Sequence, residues 1–128
     1  MQLNLSYNTI ADAPVKEVPE FGYVLTAHKV DNDGEVLPHV LFGDLTRFAI
    51  AAFRGMRDRE HPEGAARVFR AVVRFVECAW ICLDYQVQEL VHVSFLENLH
   101  LADDDYSEMV AMLGPESQRI VKRIERDR

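Results

Sequence analysis

Two Glu-x-x-His pairs, Glu89/His92 and Glu97/His100, have the ligand spacing that di-iron helical bundles use. Such sites draw their motifs from several helices that all face inward. Here both pairs fall in one helical stretch. At about 100° per residue Glu89, His92 and His100 lie opposite Val87 and Val91, near Val93 and Leu96. A mostly solvated face is therefore expected, with no metal. Asp31-Asn32-Asp33-Gly34-Glu35 has the composition of a calcium loop, but its glycine comes two positions early and Phe42 stands where a bidentate glutamate belongs. A turn built from Asx side chains and glycine is the expectation, with His39 beside it as a cap or packing residue. Cys78 and Cys82 lie four apart in an apolar run, a spacing on one helix that does not suit a disulfide, and read as small buried thiols. No nucleophile, base or cofactor motif assembles, so neither an enzyme nor a cofactor is expected.

Ser94 and Asn98 are four apart on the apolar side of the same stretch, with Glu97 at its edge. A buried polar group without a partner costs about 1 to 3 kcal/mol. The pair either braces this helix against a neighbouring backbone or lines a partner-binding groove.

The remaining chemistry is charge. From Phe75 to Gln118 there are nine carboxylates and no lysine or arginine, whereas Arg47 to Arg74 holds seven arginines against three acids. The net charge is −7, and phosphate would be repelled by the acidic half, so nucleic-acid binding is disfavoured. Arg67, Arg70 and Arg74 form an outward stripe whose expected partners are Glu77 and the acidic helix that follows. Met1 to Ser6 lacks a basic and apolar leader, and no stretch is long enough to span a bilayer, so a cytoplasmic protein is expected.

The elements that carry these groups are helical. The 128 residues, 48% hydrophobic, are enough for one domain spanning 1–128 with a core independent of disulfides or metals. Leu41, Phe42, Leu45, Phe48, Ala49, Ala52, Phe53 and Met56 recur at three and four, behind Pro38 at a helix start. A second helix after His61-Pro62-Glu63 turns Val68, Phe69, Val72, Val73, Val76, Ala79, Trp80 and Leu83 inward; Ala71, Phe75, Cys78 and Cys82 widen its apolar face, making it the expected central helix. A third spans about Tyr85 to Leu101, capped by Asp84. Asp103 to Asp105 suit the positive end of a short helix ending at Leu113. Gly114-Pro115 separates that helix from the last, with Ile120, Val121 and Ile124 inward and Lys122, Arg123, Arg126 and Arg128 at its carboxyl end. After Pro19, Phe21, Val24, Leu25 and His28 fit a helix. Met1, Leu3, Leu5 and Tyr7 alternate as in a short strand, without a partner strand. The expectation is an all-α bundle of about five or six helices with a possible amino-terminal strand.

Asp31 to Phe48, Val93 to Leu99 and Met112 to Pro115, read together, resemble a family of small bacterial helical proteins of uncharacterised function. Some members are encoded beside polymorphic toxins and resemble their immunity proteins. The resemblance covers about two thirds of the chain, from Asp31 onward. It implies an immunity protein that neutralises a cognate toxin by binding it. A basic toxin domain is the expected partner, since complementary charge speeds encounter. The residues expected at that contact are Asp103, Asp104, Asp105, Glu108, Glu97 and Asn98. The alternative is an acidic helical adaptor with another protein partner.

Overall fold

The computed structural model describes residues 6–57, Glu60 and residues 62–128. Among these the chain is all-α and forms a compact domain. Its helices are α1 (Ala13–Glu17), α2 (Gly22–Asp31), α3 (Pro38–Gly55), α4 (Pro62–Trp80), α5 (Tyr85–Glu89), α6 (Tyr106–Ala111) and α7 (Pro115–Asp127). Beyond α5 the chain continues helically with a changed pitch, wide over Leu90–Phe95 and tight over Leu96–Asp105, the latter interrupted by a kink at Asp103. Met1, Leu3 and Leu5 of the expected strand lie outside the described residues, and Tyr7 begins a short 3-10 turn, Tyr7–Thr9.

The core is centred on α3, which packs along both α4 and the Leu90–Phe95 segment. Leu41, Phe42, Leu45, Ala49, Ile50 and Phe53 are buried on one side of it. Phe69, Ala71, Val72, Phe75, Val76 and Ala79 of α4 face them, so two helices share the centre expected of α4 alone. Gly55 lets the two approach: a Cβ there would stand 2.9 Å from Ala65 Cβ. Leu83 departs from expectation. α4 ends at Trp80, so Leu83 falls in the link to α5 and is 96% exposed. Gln88 reaches back and donates to the carbonyls of Trp80, at the end of α4, and of Cys82, just beyond it.

The helix boundaries follow from local chemistry. Asp84 caps α5, with Oδ1 accepting from the Gln86 and Val87 amides at 2.8 and 3.2 Å. Its Oδ2 accepts from Tyr7 N at 2.9 Å and so holds the amino-terminal turn. These bonds, Tyr7 first, hold the Asp84 carboxyl below its usual range. At the end of α2, Asn32 Nδ2 donates to His28 O, and Gly34, at φ 84°, donates its amide to Lys29 O. The Asp31–Glu35 stretch is thus a helix-terminating turn of Asx and glycine residues. His28 is buried and accepts the Leu37 amide at Nε2, 2.9 Å away, which seats the chain entering α3.

Candidate partner-binding surface

The four acids expected to form one exposed cluster divide into two pairs. Asp105 sits at the amino end of α6, where it receives Arg54 Nε at 2.9 Å from the last turn of α3 and Arg57 at 2.6 Å from the turn just after it. Its side chain is only 14% exposed, and the arginines, Arg54 first, hold its carboxyl below the usual range. Glu108 meets Arg57 at 2.9 Å, and Arg57 also lies over the Phe53 ring. Arg54 donates further to Ala102 O. Asp105 and Glu108 therefore fasten the Leu96–Asp105 segment to α3. Asp103 and Asp104 are exposed and meet no cation among the described residues. Asp103 has φ 52° and ψ −117°, a backbone conformation that side chains disfavour, which breaks the helical course before α6. Leu101, 41% exposed, and the half-buried Glu97 and Asn98 belong to the same segment.

A polar network under this segment fixes its course. Thr46, fully buried on α3, has Oγ1 3.1 to 3.3 Å from the carbonyls of Phe42, Ser94 and Phe95. The last two lie where the helix leaves its wide turns, and such turns leave carbonyls in need of outside donors. The Ser94 hydroxyl meets His39 Nδ1, and Asn98 Nδ2 donates to Ser94 O at 2.9 Å. Ser94 thus ties the segment to α3 through His39 and Thr46, whereas the Asn98 amide bonds back within the segment; His39 is exposed and serves as the hydrogen-bond partner of Ser94.

The Glu-x-x-His residues do not converge. Glu89 is exposed, His92 sets its ring edge-on to Trp80, and His100 Nδ1 contacts Glu97 O. Among the described residues no three His, Cys, Asp or Glu side chains are placed to hold a metal ion. Cys78 and Cys82 are free thiols, with Cys82 buried and its pKa raised by that burial.

Glu77 does not pair with the arginine stripe as expected. Its Oε1 accepts from Glu116 N at 2.8 Å, and its Oε2 from the amide and hydroxyl of Ser117. It therefore supplies the first turn of α7 with an acceptor and a negative charge at the positive helix end. Gly114 is required for that approach, because a Cβ there would fall 2.5 Å from the Glu77 carboxyl carbon. Arg67 pairs with Glu20 across the domain. At the far end of α7 Arg128 donates to Glu97 O, a contact between the basic tail and the acidic segment.

Among the described residues the fold is a compact all-α domain. Residues 14–127 match the model of a family described as a domain of unknown function, DUF7674, and the chain belongs to that family. No curated protein and no solved structure matches it. No helix among the described residues is long and apolar enough to cross a membrane.

Proposed function

We propose that this domain is an immunity protein that binds and neutralises a cognate, basic toxin in the cytoplasm. The observation that carries the reading is the division of the acidic cluster. Asp105 and Glu108 are held by Arg54 and Arg57, while Asp103 and Asp104 stand exposed beside Leu101. A fixed backbone presenting free carboxylates next to an apolar side chain suits a basic partner, since charges held in place steer encounter without further ordering. Glu97 belongs to the same segment, and Asn98, Asp105 and Glu108 contribute by holding its course. The resemblance of the Asp31–Phe48 and Val93–Leu99 stretches to proteins encoded beside toxins gives the partner its class.

Co-expression with the product of the adjacent gene tests the reading. Co-purification of the two, together with restored growth of cells carrying that toxin, is the expected result. An adjacent product that is not toxic, or a toxin that kills equally with this protein present, would leave the acidic adaptor as the better account.

A further inference from the structure

Arg70 and Arg74 differ from the other described arginines of their stretch. Arg47, Arg54, Arg57 and Arg67 each meet a carboxylate, from Asp44, Asp105, Glu108 or Glu20. Arg70 and Arg74 are exposed and meet none among the described residues. Glu77, one turn further along, directs both oxygens to the amino end of α7. The two arginines border a groove of about 340 Å³ between α4 and the Met112–Gly114 link. Phe69, Val73, Cys78 and Met112 make its wall apolar, and Met112 is 38% exposed. A cleft of this volume, apolar with a few charged groups at its edge, has the make-up of a binding site.

Charge and spacing select the occupant. Residues four apart on a helix are separated by about 6 Å along the axis, which is also the spacing of carboxylates four apart on a second helix. Guanidinium groups match carboxylates in geometry as well as charge. A groove running along two turns of α4 suits the apolar side chains that a helix projects every three or four residues. We infer that this groove docks an acidic amphipathic helix of another protein, with its apolar stripe on Val73 and Met112, above the buried Phe69, and its carboxylates on Arg70 and Arg74. The inference goes beyond the toxin-binding reading, because this surface has the opposite charge and can be tested separately.

Peptide display tests it. Helical peptides of about 18 residues, long enough to hold a helix, are selected on the full chain and depleted on the Arg70→Glu/Arg74→Glu variant. Both positions are exposed, and circular dichroism verifies that the variant keeps its fold. The expected winners carry Asp or Glu four apart beside an apolar stripe. They bind the native chain about tenfold more tightly than the variant and shift the methyl resonances of Val73 and Met112. Winners without acidic residues, equal binding to the variant, or no enrichment over it would overturn the proposal. A dimer in sedimentation that the two substitutions dissociate would assign the groove to a second copy and overturn it as well.

Discussion

Arg54 and Arg57 at the end of α3 and just beyond it, and Arg70 and Arg74 of α4, come from the same basic stretch of sequence, yet the fold treats them in opposite ways. The first pair meets Asp105 and Glu108, about fifty residues away, and closes the Leu96–Asp105 segment onto α3. The second pair stands at the edge of an apolar groove with no carboxylate among the described residues. Charge sorted along a chain is thus sorted again by packing. The acidic run, uniform in sequence, becomes part fastening and part free surface.

The fastening at the groove should be the more sensitive to mutation. Glu77→Ala removes three hydrogen bonds from the start of α7 and is expected to lower stability by about 3 kcal/mol in urea denaturation. Gly114→Ala displaces the same carboxylate, so it should cost a similar amount alone and little on the Glu77→Ala background. Additive losses would mean that the glycine does not act through Glu77.

A smaller effect is expected where the acidic segment rests on α3. Thr46→Val deprives the Ser94 and Phe95 carbonyls of a donor, and Asn98→Ala deprives Ser94 O of another. Each should lower stability by about 1 to 2 kcal/mol. Once folded, Asn98→Ala should bind the partner as the native chain does; lost affinity at unchanged stability would move Asn98 from brace to contact.

Acid should loosen the fastenings by a smaller amount. The carboxyls of Asp84 and Asp105 titrate below the ordinary value of 3.8 in the folded chain. The unfolded chain therefore takes up protons first, and stability present above that value falls as pH drops through the folded values. Urea midpoints of the native chain should decline over this window, and those of Asp84→Asn/Asp105→Asn should decline less. Parallel curves would show that neither carboxylate stabilises the fold.

Much of the fold was legible because its signals are local. Pro38, Asp84 and Gly114-Pro115 mark real helix boundaries, and the apolar spacing of Leu41 to Phe53 marks a real buried face. Sequence spacing failed where the helical pitch changes. The wide turns over Leu90–Phe95 end at carbonyls that meet Thr46, forty-eight residues from Ser94, a contact no local spacing announces. The partners of Asp105 and of Glu77 were hidden for the same reason, since ion pairs between α3 and α6 and the cap from α4 to α7 depend on tertiary packing. Arg54 and Arg57, three apart in sequence at the close of α3, are the local trace of the first.

The division of the acidic cluster is tested most directly by association kinetics with the cognate toxin at low salt. Asp103→Asn/Asp104→Asn should slow association about threefold or more, with a weaker salt dependence and unchanged stability. Asp105→Asn/Glu108→Gln should instead lower stability, because it releases Arg54 and Arg57. An association rate unaffected by removing Asp103 and Asp104 would contradict the account.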